Sequence, residues 1–108
     1  MRLRLGPDDL GEGQMRGYLL EGERHLLLIR LGGALHALDD VCNHAGCLLS
    51  RGRLAGSEVV CPCHQMSFDV RSGALTCLPR LCEDQPTFPV AVEGGQVWVE
   101  VPSPGGRG

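Results

Sequence analysis

The chain has 108 residues, 43% of them apolar, 21% charged and 4% aromatic, with a formal net charge of −3. A chain of that length buries ~65% of its extended surface, enough for one domain and too little for separate catalytic and cofactor domains. All ten basic residues are Arg, which excludes a phosphate-loop lysine or a Schiff-base lysine, and single scattered arginines on an acidic chain give no footprint for nucleic acid.

The N-terminus, Met1-Arg2-Leu3-Arg4-Leu5-Gly6-Pro7-Asp8, has no apolar leader. The longest apolar run, Leu26 to Leu31, is interrupted by Arg30 and too short to cross a bilayer. A cytoplasmic protein with no membrane segment is expected. One short helical turn is expected at Pro7-Asp8-Asp9-Leu10; no other stretch shows a 3.6-residue apolar period. Three pairs of apolar runs then read as strands joined by tight turns. Gly17-Tyr18-Leu19-Leu20 passes through Glu21-Gly22-Glu23 into the run His25 to Leu31. That run meets Gly32-Gly33 and continues as Ala34-Leu35-His36-Ala37-Leu38. Near the end, Phe88-Pro89-Val90-Ala91-Val92 turns at Glu93-Gly94-Gly95-Gln96 into Val97-Trp98-Val99-Glu100-Val101. Paired glycines supply the positive φ that two-residue hairpin turns need. The frame is all-β: an antiparallel sandwich or barrel that protects its own edges.

Residues 39–83 differ in kind. They hold all six Cys and two of the four His, with short strands expected at Glu58-Val59-Val60 and Ser67-Phe68-Asp69-Val70. This segment reads as a small subdomain inserted in the β frame, with too little apolar content to hold itself together without metal or cross-links. Residues 1–101 read as one domain and 102–108, rich in Pro and Gly, as a flexible tail. Six Cys in a reducing compartment point to metal binding or redox chemistry. Two clusters carry that signal: Cys42-Asn43-His44-Ala45-Gly46-Cys47 and Cys61-Pro62-Cys63-His64-Gln65-Met66-Ser67. Each offers one thiolate and one imidazole from a compact loop. Structural zinc suits such a donor set, but C-x-H spaces its ligands more tightly than zinc modules do, and no helix carries a histidine pair.

C-x-H, sixteen residues, then C-P-x-H resembles the Rieske [2Fe–2S] family, in which two Cys hold one iron and two His the other. Ser67-Phe68-Asp69-Val70 with Ser72-Gly73 resembles the strand and turn after the second ligand loop. Thr87-Phe88-Pro89-Val90 and Gly95-Gln96-Val97-Trp98-Val99 resemble the last strands of small Rieske ferredoxins. The resemblance spans about Leu5 to Val101. It implies one [2Fe–2S] cluster held by Cys42, His44, Cys61 and His64. It also implies a Cys47–Cys63 disulfide like the one that links the loops in cytochrome bc complexes, and a proline loop over the cluster at Pro79. Members with high potentials carry Ser and Tyr hydroxyls after the second histidine; here Gln65-Met66-Ser67-Phe68 puts Met66 and Phe68 at those positions, which predicts a lower potential.

The function implied is that of a soluble, monomeric one-electron carrier, not itself an enzyme. It would take electrons from a reductase and pass them to a terminal oxygenase or similar acceptor. The alternatives are a small subunit of a larger reductase of the nitrite-reductase type, a structural zinc-binding interaction module, and a detached quinol-oxidising domain. The last is disfavoured by the absent hydroxyls. Cys77 and Cys82 read as small apolar side chains, His25 and His36 as surface or structural residues, Trp98 as β core, and Asp39-Asp40 as a solvated turn.

Overall fold

Period-two alternation and glycine turns set the frame. A computed structural model of the chain describes residues 1–20, 24–42, 46–63, 66–76 and 84–102. Strands β2 (Met15–Leu20), β3 (Arg24–Leu31) and β4 (Ala34–Asp39) form an antiparallel meander, with Leu28 opposite Arg16 on one side and Ala37 on the other. Gly32 and Gly33 close the β3–β4 turn with φ of 65° and 81°, a backbone that side-chain-bearing residues adopt at a cost. A fourth strand, β8 (Thr87–Phe88), completes this sheet against β4. A second sheet is built from β1 (Arg2–Pro7), β10 (Gln96–Glu100) and β9 (Val90–Glu93), with β10 in the centre. A third and smaller sheet is built from β5 (Arg53–Ala55), β6 (Glu58–Val60) and β7 (Ser67–Asp69). All pairings are antiparallel, and the only helix among the described residues is the 3₁₀ turn Leu49–Arg51.

Strand β3 explains the layering. Its four consecutive residues Leu26, Leu27, Leu28 and Ile29 are all buried, so both faces of the strand are covered. Leu26 and Leu28 pack with Ala37, Val97, Val99 and Val101 between the two larger sheets. Leu27 and Ile29 point the other way and pack with Leu38, Val59, Phe68 and Val70 beneath the small sheet. The central sheet therefore separates two apolar cores, and the second of them belongs to the cysteine-bearing segment.

Three sequence expectations are corrected. No helical turn forms at 7–10: β1 runs through Pro7, the Asp8 N–H donates to Gly95 O at 2.9 Å, and the Arg30 guanidinium holds the segment by pairing with Asp8 and donating to Leu10 O. Local propensity yields there to Arg30 and to the burial of Leu10. The run Phe88 to Val92 is two strands instead of one. Pro89 has no N–H to offer a ladder, and the chain changes sheets at that residue, β8 pairing with β4 and β9 with β10. Trp98 is not core: alternation along β10 turns Val97 and Val99 inward and leaves Trp98 half-buried on the outer face, with the Arg2 guanidinium 4.5 Å from its ring centre.

Candidate metal centre

Two loops of the same design face each other across the second core. The first leaves β4 and returns at the 3₁₀ turn. Its stem is a ladder: the Leu49 N–H donates to Asp40 O at 2.7 Å, Val41 bridges Leu48, and the Cys42 N–H donates to Cys47 O at 2.7 Å. The Gly46 N–H donates to Cys42 O at 2.8 Å and tightens the bend. The second loop joins β6 to β7, and the Cys61 N–H closes it by donating to Met66 O at 2.7 Å. Each loop thus begins with a cysteine whose amide bonds the residue that ends the loop. Cys42 and Cys61 are 1% and 0% exposed and share one apolar core. Cys47 and Cys63 are joined by a disulfide, Cα to Cα 6.3 Å, which ties the end of the first loop to the middle of the second.

His44, His64, Gln65, Pro79, Cys77 and Cys82 lie outside the described residues. Among the described residues no group of three or more His, Cys, Asp or Glu side chains is placed to hold a metal. What is described is the thiol half of the expected donor set, two cysteines outside the disulfide and buried in one core. Met66 and Phe68, expected beside the cluster, are buried in the same core as both thiols, and Phe68 is 0% exposed.

The support around the loops was not legible as such. Asp40, expected in a solvated turn, is 1% exposed. Its carboxylate accepts the Ser50 N–H at 2.6 Å and the Ser50 hydroxyl at 2.6 Å, locking the foot of the first loop to the 3₁₀ turn. A burial signal was absent because Asp precedes turns in either role. Gln85 is buried as well, and its side-chain amide donates to Asp39 O at 2.7 Å and Val41 O at 3.0 Å. The Gln85 N–H reaches Gly73 O at 2.7 Å, so close that a Cβ on Gly73 would lie 2.1 Å from Gln85 O. Gly52 has the same role beside the second loop: its Cβ would lie 1.9 Å from Val60 O. Asp69, at the end of β7, accepts the Ser72 N–H at 2.8 Å and hydroxyl at 2.9 Å, which holds its carboxyl below the usual carboxylate range. His36 lies in β4, its Nε2 buried with no hydrogen-bond partner among the described residues, and His25 lies in β3.

Comparison with known proteins places this geometry. A family model described as Rieske [2Fe–2S] domain matches residues 4–91. The ferredoxin component of a naphthalene 1,2-dioxygenase system from Pseudomonas aeruginosa is 36% identical over 93 residues, covering 86% of this chain and 88% of that protein. A chain in the complex of reduced oxygenase and oxidized ferredoxin in carbazole 1,9a-dioxygenase superposes with a TM-score of 0.83 at 30% identity, covering 91% of each chain. A Mycobacterium tuberculosis protein assigned as an NADH-dependent nitrite reductase small subunit superposes with a TM-score of 0.78 at 27% identity, covering 95% of this chain and 97% of that one.

Proposed function

Because the chain belongs to the Rieske [2Fe–2S] domain family, we propose that it is a one-electron carrier that accepts an electron from a reductase and delivers it to a terminal oxygenase. The observation that carries this reading is the pair of buried thiols, Cys42 and Cys61, at matching positions in two loops that a disulfide holds together. That pair fits one iron of a [2Fe–2S] cluster, since each iron takes two protein ligands beside the shared sulfides. His44 and His64, each within three residues of one of those cysteines, complete the proposed set. The cluster, when bound, supplies reversible uptake of one electron. The protein supplies the rest. Cys42 and Cys61 hold their ligand atoms in a core sealed by Leu38, Leu49, Val59, Met66 and Phe68, which excludes water on the thiol side. The amide bonds at each loop base, with the Asp40 and Gln85 anchors, fix the loops so that little reorganises when an electron arrives.

Under this reading residues 1–101 form one domain, with 39–83 as its cluster-binding subdomain and the tail outside it. No helix among the described residues is long and apolar enough to cross a membrane; a cytoplasmic setting is part of the proposal. A second reading, a small subunit of a nitrite-reductase-type enzyme, draws on the structural likeness reported above. Anaerobic reductive titration separates the possibilities. The carrier takes up one electron per chain, is reoxidised on mixing with the oxygenase component of a naphthalene dioxygenase system, and yields no product from aromatic substrate alone. Failure to accept an electron refutes the proposal. Acceptance without reoxidation by the oxygenase favours the reductase-subunit reading.

A further inference from the structure

The cysteine-bearing subdomain has an uneven charge layout. Three of its four described carboxylates are spent internally, Glu58 being the exception: Asp39 accepts the Val41 N–H, Asp40 is buried on Ser50, and Asp69 caps the turn at Ser72. Its described arginines are not. Arg51, Arg53 and Arg71 make no ion pair among the described residues, although the charge of Arg71 helps to lower the Asp69 carboxyl; in the frame Arg2, Arg16 and Arg30 pair with Glu93, Asp9 and Asp8, while Arg4 and Arg24 make no ion pair among the described residues. The small sheet is polarised along its strands. Arg53 pairs with Val60 beside the second loop, while Glu58 lies at the far end, opposite Asp69. Arg51 and Arg53 are both exposed and flank a cleft of about 310 Å³ whose other walls are Gly52, Val60, Cys61 and Pro62. Two solvated guanidinium groups therefore border a concavity that a proposed cluster ligand, Cys61, helps to line.

We propose that this cleft is the docking site for an acidic rim on the protein that exchanges electrons with this chain, with a partner carboxylate seated between Arg51 and Arg53. The inference rests on the carrier reading above and adds the sign of the partner's surface. Guanidinium forks take carboxylates in paired hydrogen bonds, and a local positive field on an acidic protein steers the partner to one pole. Planar charge next to Cys61 would seat the partner over the second loop and not over the β frame.

The test uses the cluster-loaded protein and two kinds of probe. Hexacyanochromate(III), a redox-inert paramagnetic trianion, should broaden the amide and guanidinium resonances of Arg51 and Arg53 most, and R51Q/R53Q should abolish that focus. Broadening centred on Arg4, Arg24 or Arg71 overturns the proposal. As an acidic protein probe, flavodoxin hydroquinone should reduce R51Q/R53Q about tenfold more slowly than the wild type at low ionic strength, with the gap closing in high salt. Oxidation of the reduced protein by the basic cytochrome c should be unchanged or faster in the variant. Equal flavodoxin rates for both proteins overturn the proposal. EPR on the same samples keeps the failures apart: a missing cluster signal refutes the carrier reading, while an intact cluster with an indifferent variant refutes only the docking site.

Discussion

Restoring hydroxyls to the second loop is the perturbation that probes the loop chemistry most sharply. Phe68 is 0% exposed and Met66 nearly so, in the core that holds Cys42 and Cys61. Phe68→Tyr and Met66→Ser each add one donor to that core. A hydrogen bond to a charged acceptor contributes about 1.5–3 kcal/mol, of which only the difference between oxidation states moves the potential. Taking about 1 kcal/mol for that difference, and 59 mV per tenfold change for one electron, each hydroxyl raises the midpoint by about 40 mV and the pair by about 80 mV. The wild type itself should lie in the lower half of the family range of about −150 to +300 mV. Protein-film voltammetry reads both quantities, and a thermal melt of each variant supplies the cross-check. A hydroxyl that finds no acceptor in this core costs about 1–3 kcal/mol of stability instead. A lower melting temperature with an unmoved potential would refute the reasoning, because the two side chains would then pack the core without facing the redox centre.

Three further outcomes follow from the same contacts. Gly52→Ala should lower thermal stability by about 1–3 kcal/mol and reduce cluster content, because its Cβ would meet Val60 O at 1.9 Å; Gly56→Ala, whose Cβ meets no described atom within 4 Å but whose φ is +62°, should cost about 1–2 kcal/mol through backbone strain and leave iron content unchanged. Replacing Cys47 and Cys63 by Ser should cost about 3 kcal/mol, the chain-entropy value for a loop of ~15 residues, read by denaturant unfolding of the cluster-loaded protein. Asp69 titrates below its unfolded value, so the unfolded chain binds the proton first as pH falls. Its contribution is full above about pH 4 and is lost as pH drops through the lower folded pKa. Unfolding curves from pH 6 to 3 should therefore show a shallower acid decline for Asp69→Asn than for the wild type.

What could be read in the sequence were features that a short window encodes. Gly32-Gly33 and Gly94-Gly95 announce their hairpins because paired positive φ is nearly a glycine property, and Cys42 and Cys61 stand out by spacing alone. What escaped depends on contacts between distant segments. The alternation Leu3-Leu5 does carry a strand signal, yet β1 is defined only by its pairing with β10, close to a hundred residues away. Arg53–Ala55 is too short to show a period. Asp40 and Gln85 look like solvated polar residues until Ser50 and the Asp39 and Val41 carbonyls are brought to them. The aromatic size of Trp98 points to the core, whereas its phase relative to Val97 and Val99 decides its face. Pro89 carries the information that one run is two strands, but flanking residues that are all strand formers mask it.

The ligand set is the central claim, and pulsed EPR on protein labelled with [15N]histidine tests it most directly. A reduced sample should hold iron and acid-labile sulfide at about two of each per chain and show hyperfine coupling to two histidine nitrogens. Each of H44Q and H64Q should remove one coupling or the cluster itself. A colourless protein with one zinc per chain, or a cluster signal with no histidine coupling, would contradict it.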